Sequence, residues 1–168
     1  MSETSIRGDY FDRARTVAAM ILLVAAAVVI IGSFLDWVTI TAPPTEAGRE
    51  QATEPFTGVE ARDGWIVVGA GCVFAICALL LVARRRGFYA GLAFVASIVI
   101  GAIAFADYRG INDLRSAISE RMDIVGDADP AIGIALVAAG AFAGMAGAIL
   151  GLIATPSSRS SVNREAEA

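Results

Sequence analysis

The sequence predicts an all-α membrane protein: a four-transmembrane-helix bundle with a small extracytoplasmic cap, formed by a short β-hairpin and an amphipathic helix. Three observations predict it. Four blocks, at 16–35, 65–83, 88–106 and 131–154, contain no Asp, Glu, Arg or Lys. Each reaches the roughly 19 residues that cross ~30 Å of hydrocarbon. The arginines gather at one set of block ends, and the two long connections carry recognisable strand and helix patterns. A soluble helical bundle is the alternative, but it would spread its apolar residues in short periodic stretches. Here 57% of the 168 residues are hydrophobic, the mean hydropathy is +0.67, and nearly all the charge lies between the blocks.

The first block follows a charged segment, 1–15, that contains Arg7, Arg13 and Arg15. A cleaved signal would have an apolar stretch of ~7–15 residues and then a small-x-small site. This stretch is longer and leads straight into Phe34-Leu35-Asp36-Trp37, so an uncleaved span is expected. Only Arg84-Arg85-Arg86-Gly87 separates the second and third blocks, which forces antiparallel neighbours. Asp129-Pro130 introduces the fourth block, with Asp129 placed to cap the helix and Pro130 at its first position. Cys72 and Cys77 are five apart on one helix, ~7.5 Å along its axis, which is beyond disulfide geometry.

Orientation follows from the arginines, which supply all 13 basic residues. Eight lie in the N-terminal segment, the Arg84–Arg86 turn and the C-terminal tail, and five in the two long connections. Those connections also hold twelve of the seventeen acidic residues. Carrying Arg84, Arg85 and Arg86 across the bilayer together would be very unfavourable. Both termini are therefore expected in the cytoplasm, with a multi-pass protein in the inner (plasma) membrane. The tail, 155–168, is polar and serine-rich and is expected to be disordered.

The first outer loop, 36–64, holds two candidate strands, Val38-Thr39-Ile40-Thr41 and Phe56-Thr57-Gly58-Val59-Glu60, with Pro43-Pro44 between them. Trp37 and Trp65 bracket it at headgroup level, where tryptophans anchor spans more often than they stack on ligands. In the second loop, 107–130, Ile111, Leu114, Ile118, Met122 and Val125 form one apolar stripe at helical spacing. Its partner is the first-loop hairpin, the membrane surface or another protein; the hairpin is the first choice.

Small residues recur every seventh position in each span, richest in the fourth, with Gly133, Gly140 and Gly147 interleaved with Gly144 and Gly151. Close backbone approach through small residues is the main way helices associate in lipid. These five glycines mark a packing surface inside the bundle or an interface with a partner.

Chemistry is sparse. The chain has no histidine, no ionisable group but the two thiols within a block, and no proline inside one. Pumps, proton relays and coupled transporters place charge at that depth. No nucleophile–base pair, phosphate loop or metal-ligand set is written in the sequence. Asp123, Asp127 and Asp129 lack the spacing of a calcium loop. No cofactor, no metal and no nucleic-acid partner are expected, since no basic surface tracks phosphates.

Four spans, a larger strand-bearing first loop, a tight basic turn and a smaller second loop together resemble the claudin-like tetraspan architecture. Trp37 and Gly58-Val59 are similar to part of the claudin loop pattern, without its second Trp or its cysteines. Phe34-Leu35-Asp36-Trp37 and Asp63-Gly64-Trp65 resemble the span ends of small actinobacterial tetraspan membrane proteins of unassigned function. That resemblance implies an accessory subunit of cell-envelope machinery, including lipid-import complexes of the mammalian-cell-entry type. The leading expectation is a non-enzymatic accessory or scaffold subunit, with the lipid bilayer and other membrane subunits as partners. A small self-associating channel or carrier and an interfacial lipid-modifying enzyme are the alternatives.

Overall fold

The computed structural model describes residues 3–41, 53–60, 63–121 and 127–155. Four helices dominate it: α1 (Glu3–Phe34), α2 (Gly64–Arg84), α3 (Gly87–Arg121) and α4 (Ile132–Ile153). Each contains a stretch long and apolar enough to cross a membrane, at Tyr10–Phe34, Gly64–Arg84, Gly87–Ile111 and Ile132–Ile153. They pack as a ring in which α1 touches α2 and α4, and α3 touches the same two. Phe74, Leu22, Leu81, Ile100, Val29 and Val137 fill the centre and are fully buried. Met20, Val24, Leu79, Val95 and Phe142 point outward. Apolar side chains on the outer surface as well as in the core are what lipid as a solvent permits.

The charged N-terminal segment does not precede α1; it is the first part of it. Asp12 and Arg15 pair across one turn at 2.9 Å, and Thr16 Oγ1 donates to the Asp12 carbonyl. The turn between α2 and α3 is closed by Arg85 in the left-handed region, φ 51°. Its guanidinium reaches Asp12 at 3.5 Å. A methyl group built on Gly87 would sit 2.8 Å from Thr155 Oγ1, so the end of α4 lies beside the same turn. The N-terminal segment, the arginine turn and the exit from α4 thus share one end of the bundle, here called the arginine end.

The opposite end carries a three-stranded antiparallel sheet of order β2-β1-β3, made by β1 (Asp36–Thr41), β2 (Thr53–Thr57) and β3 (Asp127–Pro130). In its register Val38 lies between Phe56 and Pro130, and Thr39 between Pro55 and Asp129. The hairpin expected from the sequence is present, but its return strand ends at Thr57, and 58–60 form a turn in which Glu60 N donates to the Thr57 carbonyl. The third strand corrects the expectation for Asp129 and Pro130. Neither starts α4. Both belong to β3, Ala131 caps the helix, and Ala131 N donates to the Trp37 carbonyl at 2.9 Å.

The helix expected after the third span is present over 107–121, as a continuation of α3 rather than a separate element: α3 runs unbroken for 35 residues, about 52 Å. No proline interrupts 107–121, and Gly110 alone costs only ~1 kcal/mol, too little to end a helix. Ile111 lies on this extension and is buried. Leu114 and Ile118 lie on it too, but their side chains fall outside the described residues, as do Met122 and Val125 entirely. The tail beyond Thr155 is likewise outside them.

Candidate functional site

The five glycines of α4 all turn inward. A methyl group at Gly147 would lie 2.9 Å from Ile21 Cγ2 of α1, and one at Gly151 would lie 3.0 Å from both Ala90 Cβ of α3 and Leu81 Cδ2 of α2. Gly140 faces Val29, Gly144 faces the Phe74 ring, and Gly133 faces Trp37 with the Gly32 and Asp36 carbonyls. Of the two roles the sequence allows, these contacts are the intramolecular one. The surface is used up inside the bundle and is not open to a partner helix.

The two tryptophans separate. Trp65 is 62% exposed on the first turn of α2, edge-on to Phe34 at 6.5 Å between ring centroids. Trp37 is 3% exposed, so its placement as a headgroup anchor is corrected. Its indole Nε1 donates to the Gly32 carbonyl at 2.9 Å. The carbonyls of a helix's last turn have no intrahelical donor, so Trp37 caps the end of α1. Gly58 lies against the Cε2–Nε1 side of the indole and Gly133 against Cδ1, each giving space that a side chain would occupy. The ring is a joint between sheet and bundle, beside the Ala131 N–Trp37 carbonyl and Gly58 N–Leu35 carbonyl hydrogen bonds.

Along the interior, polar groups are few. Between Arg15 at one end and Asp107 at the other, the buried polar side chains among the described residues are Ser33 and Ser97. Each closes on its own helix: Ser33 Oγ donates to the Val29 carbonyl at 2.8 Å and Ser97 Oγ to the Ala93 carbonyl at 2.9 Å. Arg84, Arg85 and Arg86 are exposed at the arginine end. Among the described residues no cluster of three metal-ligating side chains forms, and Cys72 and Cys77 are free thiols.

What the bundle leaves open lies between α3 and α4. At the arginine end these helices touch closely, Gly151 on Ala90 and Gly144 on Ser97. Towards the sheet they part: a methyl group on Gly101 would meet only Ala141 Cβ, at 3.9 Å. The gap is a cleft of about 710 Å³, reaching from Ser97 and Met145 up to Tyr108 and Pro130. Gly101, Ala104, Ala138 and Ala141 line it, and the exposed rings of Phe105 and Phe142 flank its open side. The Arg109 guanidinium sits 4.8 Å from the centroid of the Phe105 ring, at the sheet end of the cleft.

On the opposite face of α3 a smaller cavity of about 280 Å³ lies under the sheet, among Trp37, Val38, Phe56, Asp107 and Ile111. Asp107 Oδ2 is buried there without a hydrogen-bond partner. Neither cavity was among the sequence-derived candidates. The available signal was weak: Gly101 falls off the seven-residue series of its own span, as do Ala135 and Ala138 in the fourth. No family model matches the chain, and no curated protein matches it either.

Proposed function

We propose that this integral membrane protein is a non-enzymatic accessory subunit of a cell-envelope membrane complex, one concerned with lipid transport, with its sheet end outside and both termini in the cytoplasm. One observation carries the reading: the glycine contacts of α4 pack the interior shut. Binding surfaces are then left to the sheet, to the lipid-facing helix sides and to the α3/α4 cleft. The serines inside donate to their own helices, so they offer no polar track for a solute. A cap pinned by a buried tryptophan is a preformed surface, which lowers the ordering cost of docking another subunit.

The test is the size and composition of the native species. With a tag placed at the chromosomal locus and extraction in mild detergent, the 17.4 kDa chain is expected in a larger assembly with other membrane proteins at fixed ratios. Migration as the isolated monomer at native expression overturns the subunit reading. Ion or solute flux through liposomes containing only the purified chain overturns it in favour of a self-associating channel.

A further inference from the structure

We infer that the α3/α4 cleft binds a single membrane phospholipid, which enters sideways from the leaflet at the sheet end with an acyl chain in the cleft and its phosphate at Arg109. The site would serve an isolated protein as well as an assembled one, so it stands apart from the subunit reading.

The cleft is one leaflet deep. From Tyr108 down to Ser97 the cleft follows α3 for about 16 Å. That is close to half of the ~30 Å hydrocarbon thickness, and so one leaflet. A partner's transmembrane helix would need a groove running through both leaflets. Below Ser97 the groove is closed, where Gly144 and Gly151 bring α4 onto Ser97 and Ala90. The volume of about 710 Å³ falls within the range of sites that hold one small molecule.

The wall is mostly small and aliphatic, with Phe105, Phe142 and Tyr108 at its rim, and the one hydroxyl at its deep end, Ser97, is already turned to the Ala93 carbonyl. An apolar cleft open to a bilayer does not stay empty, because a void forfeits dispersion contacts with its lining. What separates a bound lipid from one that merely brushes the surface is a polar contact that holds it.

Arg109 supplies that contact. Its guanidinium is held over Phe105, a ring that itself lines the cleft. Among the described residues the ion pairs are those of Asp12 with Arg15 and Arg85, and Arg109 pairs with no described carboxylate. A stacked guanidinium keeps its edge donors for a phosphate, which it can grip with two parallel hydrogen bonds.

Photolabelling in vesicles tests the proposal. The full chain is reconstituted into phosphatidylethanolamine–phosphatidylglycerol vesicles with a trace of phosphatidylglycerol carrying a diazirine on one acyl chain. A diacylglycerol with the same labelled chain is the control without phosphate. Label from the phospholipid is expected on 97–108 and 131–145. The double variant Gly101→Leu/Ala135→Leu fills the cleft and is expected to lower that label by at least about tenfold. A side chain at Gly101 meets Ala141 Cβ at an ordinary 3.9 Å and Ala135 is exposed, so both leucines have room.

Gly69→Leu, on α2 where nothing lies within 4 Å, adds the same bulk outside the cleft and is expected to change nothing. Arg109→Gln alters only an exposed side chain, and it is expected to reduce phospholipid labelling to the diacylglycerol level. It decides the matter even if the filled variant fails to fold. Label spread evenly over the lipid-facing helices, or unchanged in the filled and Arg109→Gln variants, overturns the proposal.

Discussion

Gly144→Leu is expected to abolish the stable bundle. The first carbon of the new side chain would run into the ring of Phe74 and stand 3.1 Å from Ser97 Oγ. Phe74 is fully buried in the core and cannot give way, and Ser97 is held by its hydrogen bond to its own helix. Overpacking a filled core typically costs 1–3 kcal/mol and occasionally more. A leucine wedged between three helices belongs at the top of that scale, at about 3 kcal/mol. The protein should insert, then melt at a much lower temperature in detergent and be degraded in cells. Gly69→Leu is the matched control: an equal substitution facing open space, expected to melt with the unaltered chain. A Gly144→Leu protein as stable as that control contradicts the packing described for α4. A stable monomer that had lost only a partner would instead make the glycine face an interface.

Trp37→Ala is expected to free the cap while leaving the four spans together. The ring is 3% exposed, and truncating a large buried aromatic costs about 3–5 kcal/mol. The same change leaves the Gly32 carbonyl without the indole donor, a further loss of about 1 kcal/mol. Because the ring packs against both Gly58 and Gly133, the loss falls on the joint between sheet and bundle. Limited proteolysis should then cut the first loop far faster, with the helical circular dichroism retained. Trp37→Phe keeps an aromatic ring but loses the N–H and part of the indole, so its cost should exceed the ~1 kcal/mol of the hydrogen bond and stay below that of Trp37→Ala. Unchanged protease resistance in Trp37→Ala contradicts the role given to this ring.

The membrane spans were legible because hydropathy over about twenty residues has no competing explanation. The same clarity did not extend to how α3 ends. Asp107, Arg109 and Gly110 read as a boundary of the apolar block, and they are one. A change of polarity does not break a helix, though; it only marks where the helix leaves hydrocarbon. The third strand was illegible for a different reason. Asp-Ala-Asp-Pro has almost no intrinsic strand preference. It is a strand because β1 offers Val38–Thr41 as a pairing edge, a contact between parts of the chain far apart in sequence.

The two tryptophans show the same limit. Both flank the first loop, and composition gives them one role. What buries Trp37 is the helix end five residues behind it and the two glycines that vacate space for its ring. Gly58 and Gly133 were visible in the sequence, but nothing local says that they meet at Trp37. The cleft was hidden most completely. It arises from the angle at which α3 and α4 part, and the seven-residue series reports which faces touch, not where they separate.

The central claim is that the chain crosses the bilayer four times with the arginine end inside and the sheet end outside. An impermeant thiol reagent tests it most directly. Single cysteines are placed at Arg85, Glu50 and Glu120 in a background lacking Cys72 and Cys77, and intact cells are labelled before and after permeabilisation. The account predicts labelling of positions 50 and 120 in intact cells, with position 85 labelled only after permeabilisation. Labelling of position 85 in intact cells, with silence at 50 and 120, would reverse the orientation. Equal labelling at 85 and 120 would contradict the crossing itself, because Arg85 lies in the turn before α3 and Glu120 at the far end of that helix.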